Sequence, residues 1–106
     1  MSIVPVLIAM EPTFKIPVDD PIYLFRTETM YIACNPAGGP IPEKKWYVND
    51  TLIENEKEGM ERYHVYPNGT LRIVNVKKTD NGKYKCEATN EKGKAESAGT
   101  AFVLGE

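Results

Sequence analysis

Apolar and polar residues alternate with a period of two along most of the chain, the spacing of strands that bury one face. Met30, Ile32 and Cys34 share a face of the run 29–34, and Tyr63 and Val65 share a face within 62–66. Leu71 and Ile73 do so within 70–76, with Val76 at its end. Tyr84, Cys86 and Ala88 align within 83–89. Shorter β-prone runs stand at 22–25 and 45–48, and a longer, less regular one at 95–104. No window long enough for a helix keeps apolar positions at helical spacing without an intervening Pro or Gly.

The segments between these runs carry turn chemistry. Pro67-Asn68-Gly69 predicts a hairpin turn, because Asn-Gly tolerates positive φ. Asn90 to Gly93 predicts a second hairpin, and Asp80-Asn81-Gly82 a turn ahead of the Tyr84 strand. The stretch 38–42, Gly-Gly-Pro-Ile-Pro, reads as a breaker. About seven or eight short strands at this turn spacing predict an all-β, two-sheet sandwich. There is no internal repeat and no low-complexity tract.

Composition narrows the function classes. A chain of 106 residues is one domain's worth, and 42% hydrophobic content is enough to build a core. Lys+Arg number 13 against 15 Asp+Glu, a balance without the basic excess that phosphate contacts need, so nucleic acid is not an expected partner. The apolar stretch 3–10 is too short to span a bilayer, so direct membrane insertion by this segment is not expected either. It lacks the preceding Lys or Arg of a signal peptide. Residues 1–11 are read as a linker or N-terminal strand extension able to pair with a sheet edge or a neighbouring domain, and residues 12–104 as the domain itself.

No active site is expected. The two serines, Ser2 and Ser97, lack a nucleophile-elbow context, and His64 has no second His or acid partner in the pattern. Asp19-Asp20 lacks the further oxygen ligands that calcium requires. No catalytic residue, metal or cofactor is therefore assigned. Alternation instead assigns outward faces. Lys45, Tyr47, Lys83, Lys85 and Glu87 face out from the strands of Trp46 and Cys86, which predicts a basic face. Tyr31, His64, Tyr66, Arg72 and Val74 face out from the opposite sheet, a set rich in the aromatic and Arg residues favoured at interfaces. Tyr31, Tyr66, His64, Arg72, Lys45, Tyr47 and Lys85 are thus the candidate binding residues.

Cys34, Trp46 and Cys86 each fall on the inward face of their own strand, and Tyr84 stands two residues before the second Cys. Around them lie Pro40-x-Pro42, Arg62-Tyr63-x-Val65, Gly69-Thr70-Leu71-x-Ile73-x-x-Val76, Asp80-x-Gly82-x-Tyr84-x-Cys86-x-Ala88-x-Asn90 and Gly93-x-Ala95. With these segments the chain resembles the immunoglobulin superfamily, and within it the I-set, over about residues 12–104. The repeats it looks most like are those of neural cell-adhesion receptors of the contactin, neurofascin and neuroglian kind. It departs from them at Lys44-Lys45, where a β-branched residue is common, and at Arg26-Thr27-Glu28, where a Glu-Gly turn is usual.

The resemblance implies an immunoglobulin-like sandwich with Greek-key connections, a Cys34–Cys86 disulfide between the sheets, and Trp46 packed on that bridge. It implies a core that includes Leu71, Ile73 and Tyr84, a tyrosine corner at Tyr84, and an Arg62–Asp80 salt bridge. It also implies a non-catalytic extracellular module of a multidomain adhesion or receptor protein. Its expected partners are other proteins, homophilic or heterophilic, and neighbouring domains of the parent chain. A ligand-binding domain of a receptor kinase and an intracellular structural domain of a sarcomeric protein are the alternatives. Two sequons, Asn49-Asp50-Thr51 and Asn68-Gly69-Thr70, stand at predicted turns and are candidate glycosylation sites in the first setting.

Overall fold

A computed structural model describes residues 9–105. Ten strands occur among them: β1 (Met10–Thr13), β2 (Ile22–Phe25), β3 (Met30–Ile32), β4 (Ala37–Gly39), β5 (Glu43–Val48), β6 (Thr51–Leu52), β7 (Tyr63–Val65), β8 (Leu71–Ile73), β9 (Gly82–Asn90) and β10 (Gly93–Leu104). One 3₁₀ turn, Lys78–Asp80, precedes β9. A five-stranded sheet runs in the order β2-β10-β9-β5-β6 and faces a three-stranded sheet, β3-β8-β7. All pairs are antiparallel except β2 with β10.

The period-two pattern becomes the core directly. Trp46 lies opposite Cys86 and Val48 opposite Tyr84 in the larger sheet. Met30 and Tyr63 flank Ile73, and Ile32 and Val65 flank Leu71, in the smaller one. Trp46, Leu71, Ile73, Tyr84, Cys86 and Leu24 are fully enclosed. Cys34, just past β3, bonds to Cys86 across the layers, with Cα atoms 6.3 Å apart. Trp46 Nε1 donates to the Gly69 carbonyl at 2.6 Å, so the one polar atom of the ring is satisfied inside the core. Burying a Trp of this size contributes several kcal/mol, about 25 cal/mol for each Å² of apolar surface removed from water.

Three strands escape the alternation. β4 takes in Gly38 and Gly39, the first two residues of the expected breaker, and pairs with β1. Two prolines bound it, but Gly38 permits the pairing. A Cβ there would meet Pro42 Cγ at 2.9 Å and the Pro12 Cα at 3.3 Å, so only a glycine backbone lets β1 come this close. β1 and the two-residue β6 are too short for a periodic signature. Of the apolar stretch 3–10, residues 3–8 lie outside the described part, while Met10 opposes Gly39 in β1.

The turns refine the sequence expectations. In the β7–β8 hairpin, Gly69 carries the positive φ (+93°), not Asn68. Asn68 instead accepts the Thr70 N–H through its side chain at 2.9 Å. At the Arg26-Thr27-Glu28 departure the chain still turns sharply, with the Glu28 N–H on the Phe25 carbonyl at 3.1 Å. Thr27 takes φ +73°, an unfavourable region for a β-branched residue, and its N–H is held by the Val76 carbonyl at 2.8 Å.

Candidate binding face

The outward residues of the smaller sheet form one connected cluster. Tyr31, Arg72 and His64 occupy a single cross-strand row over β3, β8 and β7. Tyr66, just past β7, completes it. Arg72 Nη1 donates to the Tyr66 hydroxyl at 3.1 Å, and the guanidinium stands 5.8 Å from the Tyr66 ring centroid. His64 meets the same ring edge-on at 4.7 Å. Tyr31 is 61% exposed at the end of the row. Arg72 Nε is enclosed and has no hydrogen-bond partner among the described residues, so the cluster holds one unused donor.

The other outward set is not the uniformly basic face that alternation within single strands predicts. Register places Lys45 beside Glu87, and Glu87 beside Glu96 of β10. Lys85 Nζ lies 3.5 Å from Glu96 Oε2 and 4.9 Å from the Tyr47 ring centroid. Lys83, Lys85, Lys45 and Lys94 are thus interleaved with Glu43, Glu87 and Glu96. The sign of that face depends on which strands are neighbours, which a strand-by-strand reading omits.

The two candidate sets meet at one place. An open cleft of about 540 Å³ lies where β5 and the residues after β6 approach β7, and both Lys45 and the His64–Tyr66 pair line it. Asn55 seals one side. Its side chain donates to the Val65 carbonyl and accepts the Val65 N–H, both at 2.8 Å, so it substitutes for a neighbouring strand on the β7 edge. Sequence reasoning misses Asn55 and the cleft, because neither leaves a periodic signal.

Behind this face, Asp80 gathers the polar groups of the sandwich floor. Its carboxylate accepts from Arg62 Nη1 (2.8 Å) and Nη2 (2.7 Å), from the Tyr63 hydroxyl (2.7 Å) and from the Lys77 N–H (2.8 Å). The Tyr84 hydroxyl donates to the Asp80 carbonyl at 2.7 Å, closing the tyrosine corner. Burial pushes the Asp80 carboxyl up, but the Arg62 guanidinium and the other donors outweigh it and hold the group below the usual carboxylate range. Burial pushes both the Tyr63 and Tyr84 hydroxyls up, so they stay neutral well into the alkaline range. Arg62 is held charged by its hydrogen bonds to Asp80.

The remaining sites of chemical interest are placed as follows. Ser97 Oγ accepts the Val18 N–H at 2.9 Å, and Asp20 Oδ1 accepts the Thr100 N–H at 3.0 Å; both tie the segment before β2 onto β10. Among the described residues there is no group of three or more His, Cys, Asp or Glu placed to hold a metal. No helix among them is long and apolar enough to cross a membrane. Asn49 and Asn68 are both exposed. The Asn49 carboxamide accepts the Lys83 N–H at 2.9 Å and donates to the Asn81 carbonyl at 3.4 Å, whereas Asn68 uses only its oxygen.

Comparison with known proteins gives a consistent picture. The immunoglobulin I-set domain family matches residues 12–103. Contactin-1 of Gallus gallus is 35% identical over 94 residues, covering 88% of this chain and 9% of its own length. The chain therefore spans about a tenth of the curated relatives it matches. Sidekick-1 immunoglobulin domains 1–4 superpose with a TM-score of 0.80 at 30% identity, over 92% of this chain and 25% of that one. A chimeric titin Z1Z2 gives the same TM-score at 24% identity, over 94% of this chain and all of that one, and that likeness concerns the fold alone. With its sheets bridged by Cys34–Cys86 over Trp46 and its corner closed by Tyr84, the chain belongs to the immunoglobulin I-set family.

Proposed function

We propose that this domain is a non-catalytic binding and spacing module of an extracellular, multidomain adhesion or receptor protein. The observation that carries the reading is the connected row Tyr31–Arg72–His64 with Tyr66, which opens onto the cleft beside Lys45. Tyr and Arg supply rigid contact area and fixed donors, the residues that dominate interface energetics. The Arg72 and Tyr66 contacts hold the guanidinium in place before a partner arrives, which lowers the ordering cost of binding.

Three further features support the cell-surface setting. The disulfide requires an oxidising compartment to persist. Both sequon asparagines are exposed. The likeness to contactin-1 and Sidekick-1, of which the chain covers 9% and 25%, is in keeping with service as one spacer among several. The receptor-kinase reading keeps the same binding face, and the sarcomeric reading requires reduced thiols.

The test is a binding screen of the exported, oxidised domain against cell-surface and secreted proteins. The same screen is run on the Tyr31→Ala/Arg72→Ala variant. Loss of the wild-type binders in that variant is the expected result. Retention of every binder places recognition elsewhere, and a protein recovered from its natural source with both thiols free removes the extracellular setting.

A further inference from the structure

The outer face of the five-stranded sheet carries an apolar patch remote from the cluster above. Tyr23 is 54% exposed, Phe25 50%, Phe102 47% and Leu104 40%. They form two cross-strand pairs between β2 and β10, Tyr23 with Phe102 and Phe25 with Leu104. The Tyr23 and Phe102 ring centroids are 6.4 Å apart. Four large apolar side chains grouped in this way call for a partner more than scattered ones do.

The patch borders a free strand edge. Among the described residues β2 ends the five-stranded sheet, with β10 on one side only. Edge strands are normally guarded by charges, Pro or bulges. Ile22-Tyr23-Leu24-Phe25 holds no charge, Pro or bulge and is blunted only by its four-residue length, in contrast to β7, whose edge is closed by Asn55 and by Met60 accepting the Tyr63 N–H. The Arg26 N–H donates to the Leu104 carbonyl at 2.9 Å. By the alternation of a strand, the main-chain groups of residues 22, 24 and 26 then face β10, and those of Tyr23 and Phe25 face away from it.

We propose that β2 pairs antiparallel with β2 of a second copy of this chain, about a twofold axis at Leu24. Tyr23 then opposes Phe25 of the second copy at both ends, and these are the positions whose main-chain groups face outward. Each row across the joined sheet reads Phe102 and Tyr23, followed by Phe25 and Leu104 of the second copy. The twofold repeats this row, so the surface is complementary to itself, as a closed dimer requires.

Neighbouring registers fail on physical grounds. A one-residue slip sets Tyr23 against the inward Leu24. A two-residue slip sets Phe25 against Pro21, which has no N–H, or sets Tyr23 against Thr27, which leaves the strand at φ +73°. The second copy covers the β2 edge and the facing flanks of Tyr23 and Phe25, while Phe102 and Leu104 stand one strand farther in, so the contact lies well below the roughly 800 Å² per partner of stable interfaces. The dimer is therefore weak on its own, with Kd on the order of 0.1 mM, and gains strength when several copies are tethered in arrays. This surface is separate from the Tyr31–Tyr66 face and stands or falls independently of it.

The experiment is analytical ultracentrifugation of the oxidised 106-residue chain over about a hundredfold concentration range centred on that Kd. Amide hydrogen exchange is followed in parallel. The expected result is a reversible monomer–dimer equilibrium, with exchange at Tyr23 and Phe25 slowing as concentration rises. Tyr23→Lys and Phe25→Lys, each checked for an unchanged near-ultraviolet circular dichroism spectrum, weaken it at least tenfold. Tyr31→Lys on the opposite sheet leaves it intact. A monomer throughout would overturn the proposal and leave the patch to a different protein. Association untouched by Tyr23→Lys and Phe25→Lys, or without slowed exchange at Tyr23 and Phe25, would overturn it too, by assigning the contact to another surface.

Discussion

Replacing Asp80 with Ala removes the acceptor on which Arg62, Tyr63 and Lys77 converge. Asp80 is 1% exposed, and its guanidinium partner keeps 25% of its side chain in water. Breaking a fully buried ion pair on one side costs about 3–5 kcal/mol. The partial hydration of Arg62 places the cost at the lower end, about 3 kcal/mol. Against a total stability of about 5–15 kcal/mol, this is a large fraction. With a urea m-value of about 1.5 kcal/mol/M, the midpoint falls by about 2 M. Trp46 is enclosed in the core and reports the transition by fluorescence. The same experiment on Arg62→Met and on the double variant closes a thermodynamic cycle, whose coupling energy should be about 1–3 kcal/mol.

Acid titration supplies an independent reading of the same group. The folded carboxyl is held below its unfolded value of about 3.9. Its stabilisation is therefore complete above that value and is lost as pH falls through the folded pKa. Asp80→Asn should flatten this acid limb. A loss below about 1 kcal/mol in Asp80→Ala, together with an unchanged acid limb in Asp80→Asn, refutes the account of Asp80 as the polar anchor of the sandwich.

Four further outcomes follow from the geometry. Cys34→Ala/Cys86→Ala opens a loop of about 50 residues and should cost about 4 kcal/mol in the chain-entropy account, measured by thermal and urea unfolding. Thr27→Gly relieves a positive φ at a β-branched residue and should stabilise by about 0.5–1 kcal/mol after the entropy cost of Gly; a destabilised variant contradicts the strain argument. Gly99→Ala drives a Cβ into the Asp19 carbonyl and should destabilise by about 1–3 kcal/mol or more, read by the same urea titration. Expressed through a secretory host, the protein should carry more glycan at Asn68 than at Asn49, because the Asn49 carboxamide is tied to residues 81 and 83 at both ends; glycopeptide mass spectrometry measures the ratio.

Alternation alone identifies the inward faces of the longer runs, and with them Trp46, Tyr84, Leu71 and Ile73, since burying one side of a strand demands period two. It does not reveal β4, where a glycine pair between prolines acquires strand geometry only because β1 lies against it. Nor does it reveal that Glu96 neutralises Lys85, which requires the register between β9 and β10. The row Tyr31–Arg72–His64 is foreseeable as three outward residues, but its joining to the Lys45 cleft depends on how the two sheets stack. Tyr23, Phe25, Phe102 and Leu104 read as ordinary strand residues until the parallel pairing of β2 with β10 sets them side by side.

That parallel pairing also determines how the module carries load. Tension drawn through its two chain ends pulls β2 toward its start and β10 toward its end. Because the strands run in the same direction, the ladder between them is loaded in shear, with all four registered pairs from Ile22–Ala101 to Phe25–Leu104 resisting together. An antiparallel hairpin pulled at its two open ends would instead unzip one bond at a time. Once the shear lock yields, only the chain outside the Cys34–Cys86 loop can pay out, so an oxidised module under force lengthens in a bounded step and the strands inside that loop bear none of the load.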